Sequence, residues 1–150
     1  ELLTIHCAGG LPMMEAAKAA SYGSSLKLVG VTVLTSFSET DLKRISQIWG
    51  APTVTPRAQI VYQYARLAVE ACLSGIVCSV PDLKANPIQE LPWKELPLFI
   101  VPGIRRESDS KNDQESIGSV KAALQAGATH LVVGRPITAS KVLHKVQKNF

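Results

Sequence analysis

His130-Leu131-Val132-Val133-Gly134-Arg135-Pro136-Ile137-Thr138 reads as a buried strand that runs into Gly-Arg and then into a helix. A similar junction precedes it at Leu98-Phe99-Ile100-Val101-Pro102-Gly103-Ile104-Arg105. In each, an apolar run ends in glycine and arginine. Glycine lets the backbone approach a ligand closely. A following helix offers N–H groups and a positive dipole end, which favour phosphate. Arginine adds a planar fork of donors that matches phosphate oxygens. Two such junctions in consecutive strand–helix units describe the phosphate corner of a (β/α) barrel, built by the loops after its last two strands.

Working outward, apolar runs alternate with helical patterns along the whole chain. Strands are predicted at Leu2–Cys7, Leu26–Thr35, Ile76–Ser79, Leu98–Val101 and His130–Val133. Helices are predicted at Leu11–Tyr22, Thr40–Ile48 (Ser38 as N-cap), Arg57–Leu73, Gln114–Ala126 and Ala139–Val146. One or two helical turns, broken by Pro87, are predicted within Asp82–Glu90. The polar stretch Arg106–Asp113 reads as a mobile loop. Strands written as unbroken Val/Ile/Leu runs are buried on both faces, as in a parallel sheet covered by helices. This makes five βα units in 150 residues, whereas a barrel of eight needs about 250. The fold is therefore α/β: an open five-stranded parallel sheet, or a single domain over residues 1–150 forming part of a (β/α)8 TIM barrel. The start at Glu1-Leu2-Leu3-Thr4-Ile5-His6 resembles a strand already under way and favours the partial barrel.

Composition narrows the function classes. Apolar residues make up 46% and charged residues 19% of the chain, the balance of a globular protein. No stretch approaches a membrane span, and the first residues lack the basic region and cleavage site of a signal peptide. The net charge of +4 comes without a dense Lys/Arg run and with 5% aromatics. Nucleic-acid binding is therefore a weak reading, and an anionic small substrate fits this balance equally well. Cys7, Cys72 and Cys78 contain no Cys-x-x-Cys pair and read as reduced, buried thiols of a cytoplasmic protein. His6, His130 and His144 have no ligand spacing, so no metal is expected. His6, inside an apolar run, reads as a core histidine, and Met13-Met14 as helix packing.

Five segments in order resemble bacterial orotidine 5'-monophosphate decarboxylase. Leu3-Thr4-Ile5-His6-Cys7-Ala8-Gly9-Gly10, followed by Met13-Met14, is similar to that family's fourth strand and loop. Val31-Thr32-Val33-Leu34-Thr35-Ser36 is similar to the fifth, and Gly75-Ile76-Val77-Cys78-Ser79 to the sixth. Pro102-Gly103-Ile104-Arg105 and Val133-Gly134-Arg135-Pro136-Ile137-Thr138 resemble the ends of the seventh and eighth. The resemblance implies the C-terminal portion of the barrel, strands 4–8, without the first three βα units. It implies that Arg135 and the Gly134 N–H hold the nucleotide phosphate. Arg105 and Gln114 would reach phosphate and ligand from a closing loop, and Thr35 and Ser36 would face the pyrimidine. Each residue also has a plainer use: an ion-pair partner for Arg135, an exposed loop position for Arg105, a first-turn helix position for Gln114, strand-end capping for Thr35 and Ser36.

The family's Asp-x-Lys-x-x-Asp motif, which carries the proton donor and its carboxylates, has no match. Asp41-Leu42-Lys43 and Asp82-Leu83-Lys84 lack the second Asp, with Ser46 and Pro87 in its place, and follow the wrong strands. The chain is thus expected to hold no catalytic residue and to be inactive alone. Ile117-Gly118-Ser119 stands where the family has Thr-Pro, and Arg106–Asn112 is unusually charged. The resemblance further implies decarboxylation of orotidine 5'-monophosphate in pyrimidine synthesis, no cofactor, a nucleotide substrate and a homodimer. The alternatives are another phosphate-binding barrel enzyme, such as a sugar-phosphate decarboxylase, or a non-catalytic half-barrel.

Overall fold

The computed structural model describes residues 1–50, 53–85, 87–104 and 119–138. Its strands are β1 (Leu2–His6), β2 (Lys27–Val31), β3 (Gly75–Val77), β4 (Leu98–Val101) and β5 (His130–Leu131). Its α-helices are α1 (Gly10–Ala20), α2 (Glu39–Ile48), α3 (Arg57–Glu70), α4 (Val80–Ala85), α5 (Val120–Gln125) and α6 (Arg135–Thr138). The strands form one sheet in the order β1-β2-β3-β4-β5, and every pairing is parallel. A doubly wound sheet reverses its order at a switch point. Here the order never reverses, so the sheet runs as an arc of a barrel.

Register assigns each side chain to a face. Gly30, Ile76 and Phe99 lie side by side across β2, β3 and β4. With Leu28 and Val101 on the same face, Ile76 and Phe99 join the core beneath α1 and α3, where Met14, Val61, Ala65 and Ala68 are fully buried. Small residues on α3 and in the sheet let the helix lie close. A Cβ on Gly30 would stand 2.6 Å from the Cys7 sulfur and 3.5 Å from the Ala68 Cβ. On the opposite face, His6, Val31, Val77, Ile100 and His130 form one row across all five strands. Side chains alternate across the sheet, so this row faces the inside of the arc.

Several boundaries differ from those read in the sequence. β2 stops at Val31 rather than Thr35. Beyond it the Thr32 hydroxyl donates to the Val77 carbonyl at 2.8 Å, and the chain then turns. α3 ends at Glu70, before Cys72, whose φ of 56° is left-handed. α5 begins at Val120 because Ser119 is extended and its hydroxyl accepts the Ala122 N–H. Residues 114–118 of the expected helix, the polar stretch Arg106–Asp113 and the expected helix Ala139–Val146 lie outside the described residues. β5 is limited to two residues, although the Val132 N–H still donates to the Val101 carbonyl.

Burial also corrects the sequence reading at single residues. His6 is exposed rather than in a core, because β1 is an edge strand of the described sheet. Met14 is buried but Met13 is 40% exposed; its thioether lies over Gly9. The three cysteines form no disulfide, but only Cys7 and Cys78 are buried, while Cys72 is half-buried.

Burial pushes the Cys7 thiol up from 9.0 to about 12. Cys78 is pushed up by burial and then by the nearby Asp82 charge. The unfolded chain therefore ionises these thiols first. The stability Cys7 gives is complete below about pH 9 and is lost as pH rises toward about 12. Iodoacetamide at about pH 8.5, near a free thiol's pKa, should alkylate Cys72 in the native protein and spare Cys7 and Cys78. Peptide mass spectrometry finding equal native labelling of all three would refute this packing.

Gly75 supplies a second test. Any Cβ there would collide with the Leu98 carbonyl oxygen and stand 2.6 Å from the Leu98 nitrogen. The obstacle is backbone, which cannot step aside without breaking the β3–β4 ladder. Gly75→Ala should cost about 3 kcal/mol or more, at the upper end of overpacking, as a fall in the urea midpoint. A change below about 1 kcal/mol would mean the strands separate more easily than the geometry allows.

Candidate functional site

Parallel strands place all five C-terminal ends, and the segments that follow, along one edge of the sheet. That edge is where a barrel builds its site. The segment after β4 turns at Gly103, whose φ of 78° is left-handed and suits glycine. Ile104 then returns into the core, 1% exposed. The segment after β5 passes through Gly134 into α6. The Gly134 carbonyl accepts from the N–H groups of Ile137 at 2.8 Å and Thr138 at 3.1 Å, so Gly134 stands at the helix's N-cap position. Among the described residues, a Cβ on Gly134 would meet nothing within 4 Å.

These two segments share one cleft. Pro102, Gly103, Ile104, Val132, Gly134, Arg135 and Pro136 line a space of about 210 Å³. Arg135 is exposed. A cleft with two glycines, a helix start and a guanidinium suits an anion the size of phosphate. Gly134 and Arg135, neighbours in the chain, both line this cleft. Pro102, Gly103, Ile104, Val132 and Pro136 complete the wall. Arg105 and Gln114 lie outside the described residues.

Thr35 and Ser36 sit at the same edge of the sheet, in a turn beyond β2, with β3 between them and the cleft after β4 and β5. The turn is closed by the Phe37 N–H donating to the Leu34 carbonyl at 3.1 Å. Thr35 is half-buried and Ser36 exposed, so both hydroxyls stand on a turn rather than on a strand.

Sequence reasoning missed the most connected group at this edge. The Arg57 Nε and Nη2 donate to the two oxygens of Asp82 at 3.0 and 3.1 Å. Nη1 donates to the Leu34 carbonyl and Nη2 to the Val33 carbonyl, both at 3.1 Å. Asp82 is 3% exposed and Arg57 21%. Asp82 Oδ2 also accepts from the Ser79 N–H at 3.0 Å and the Ser79 hydroxyl at 2.6 Å, while the Asp82 N–H donates back to Ser79 Oγ at 3.3 Å. This is a capping box at the start of α4. The same Ser-x-x-Asp box opens α2, with Ser38 and Asp41. There the Ser38 hydrogen bonds hold the exposed Asp41 carboxyl below its usual range.

A signal for Arg57 did exist. It occupies the first turn of α3, which has no acidic residue, and a cation there opposes the helix dipole. A cation at the unfavourable end needs a partner elsewhere. Among the described residues, no group of three or more His, Cys, Asp or Glu could hold a metal, and no helix is long and apolar enough to cross a membrane.

Removing the carboxylate strands a guanidinium and uncaps α4. Asp82→Ala should therefore cost about 3–5 kcal/mol, the range for breaking a buried pair, read from urea unfolding. A cost below about 1 kcal/mol, as for an exposed pair, would show that the network does not hold in solution.

Comparison with known proteins gives a consistent set. The sequence model described as "Orotidine 5'-phosphate decarboxylase / HUMPS family" matches residues 1–148. A protein named orotidine 5'-phosphate decarboxylase from Ehrlichia chaffeensis is 48% identical over 141 residues, covering 93% of this chain and 56% of the relative. One of the same name from Staphylococcus epidermidis is 38% identical, with 100% of this chain and 64% of the relative covered. Among solved structures, orotidine 5'-phosphate decarboxylase from Lactobacillus acidophilus superposes with a TM-score of 0.73 at 29% identity, covering 99% of this chain and 60% of that one. The chain thus spans about three fifths of the length of the relatives it matches.

Proposed function

We propose, because the chain belongs to the orotidine 5'-phosphate decarboxylase / HUMPS family, that it forms the ligand-holding part of an enzyme converting orotidine 5'-monophosphate to uridine 5'-monophosphate and carbon dioxide. The observation that carries this reading is the cleft in which Gly103, Gly134 and Arg135 meet after the last two strands. In this reading Arg135 and the Gly134 N–H hold the phosphate, with Arg105 and Gln114 closing over it. Thr35 and Ser36 address the pyrimidine edge.

The division of labour follows from the chemistry. The phosphate takes no part in breaking the bond to the carboxylate. Binding it supplies energy remote from the reacting carbon, which an enzyme can use to hold the ring where charge develops. The proton donor and the carboxylates around it belong to the Asp-x-Lys-x-x-Asp motif, which this chain lacks. The 150 residues are one domain's C-terminal part, inactive alone, requiring three further βα units and no cofactor. The complete protein works as a cytoplasmic homodimer on a nucleotide. The relatives' names point away from a sugar-phosphate decarboxylase.

Arg135→Ala in the complete barrel tests the central assignment. Charge-assisted hydrogen bonds contribute about 1.5–3 kcal/mol each. Uridine 5'-monophosphate should therefore bind at least about tenfold more weakly by calorimetry, while uridine, which has no phosphate, should bind as before. Equal losses for both ligands would remove the phosphate role from Arg135. Tighter binding of a ribulose-type phosphate than of uridine 5'-monophosphate by the parent protein would replace the decarboxylase reading with the sugar-phosphate one.

A further inference from the structure

The turn that carries Thr35 and Ser36 is fastened at its first carbonyl. The Leu34 carbonyl accepts from the Phe37 N–H, which closes the turn, and also from Arg57 Nη1. The preceding carbonyl, of Val33, accepts from Arg57 Nη2, and the Val33 side chain is buried. Two consecutive carbonyls are therefore fixed by one planar group. That group is fixed in turn by both oxygens of Asp82, whose own backbone and side chain are locked to Ser79 at the start of α4. The chain of contacts runs from the end of β3, through α4 and α3, to the turn after β2.

We propose that Arg57 is a positioning residue: held by Asp82, it fixes the turn Leu34–Phe37 so that Thr35 and Ser36 meet the pyrimidine in one orientation. This rests on the decarboxylase reading above and extends it to two residues without a contact to the ligand. The geometry requires an arginine. One guanidinium reaches a carboxylate and two carbonyls through three nitrogens, and a lysine has one nitrogen with which to do so. The effect is directional. Loosening the turn weakens recognition of the base and leaves the phosphate cleft after β4 and β5 untouched, because β3 separates the two and none of the cleft-lining residues bonds to Arg57.

The test compares uridine 5'-monophosphate with ribose 5-phosphate, which carries the phosphate but no base, in the complete barrel. Arg57→Lys keeps a cation beside Asp82 and so keeps the fold. It should weaken uridine 5'-monophosphate about tenfold or more, given how steeply misplacement by an ångström is felt, and ribose 5-phosphate by no more than about twofold. The pair Arg57→Met with Asp82→Leu removes both charges without leaving either buried alone, and should show the same selective loss. A general structural role would weaken both ligands equally. If the parent protein prefers uridine 5'-monophosphate and both variants keep that preference, the positioning role is overturned while the decarboxylase reading stands. If the parent shows no preference between the two ligands, the pyrimidine assignment itself falls, and the role of Arg57 with it.

Discussion

Parallel pairing in chain order is the constraint on which the rest depends. Each strand must start at the same end of the sheet, so each return trip is made by a helix and each outgoing loop lands on one edge. The register then fixes which side chains face the helices and which face the interior of the arc. Gly75 shows how tightly the pairing is set. Its Cα faces the Leu98 backbone with no room for a methyl group. Gly30 does the same for the layer above, where the Cys7 sulfur and the Ala68 methyl group lie close over the sheet. The fold is held by close approach as much as by bulk apolar burial.

That constraint distributes the chemistry. The cleft after β4 and β5 is lined by two glycines, two prolines, Ile104, Val132 and the exposed Arg135. Its shape comes from backbone turns, at Gly103 and at the Gly134 carbonyl that starts α6. The edge after β2 and β3 is the reverse: a buried carboxylate, a guanidinium and two capping boxes tie loops and helix starts together. An anion with a fixed shape suits the first kind of surface, since backbone N–H groups and a guanidinium offer it several donors at once. A planar ring read by its edge suits the second, since hydrogen bonds to an edge discriminate only when the donors hold still.

Much of this was legible in the sequence because it depended on local patterns. Leu98–Val101 is a strand in both readings, since an unbroken apolar run between prolines has few other uses. Ser38 caps α2 as its Ser-x-x-Asp spacing demands. The Gly-Arg junction of Gly134 and Arg135 was visible as a strand-to-helix transition. What was not legible depended on tertiary position. The end of β2 at Val31 follows from Thr32 turning its hydroxyl to β3, 45 residues away in sequence. His6 sits in an apolar run but on an edge strand, and only the sheet order shows it. The start of α5 is set by Ser119 leaving the helical conformation, which apolar periodicity does not report.

The two Ser-x-x-Asp boxes show where a sequence pattern stops and a structural role begins. Both cap a helix by the same exchange of hydrogen bonds. Asp41 remains at the surface, and its nearest cation, Arg44, stands 3.8 Å away on the same helix, where water screens the attraction. Asp82 is buried beside the end of β3, so its carboxylate must be neutralised, and the guanidinium that does so comes from the start of a helix whose dipole repels it. Neither residue is well placed by itself: a buried carboxylate and a cation at a helix N-terminus are each unfavourable. Paired, each removes the other's cost, and the donors left over on Arg57 reach the Val33 and Leu34 carbonyls. A pair whose members are stable only together holds three loops in one arrangement, and the turn that carries the Thr35 and Ser36 hydroxyls is one of them.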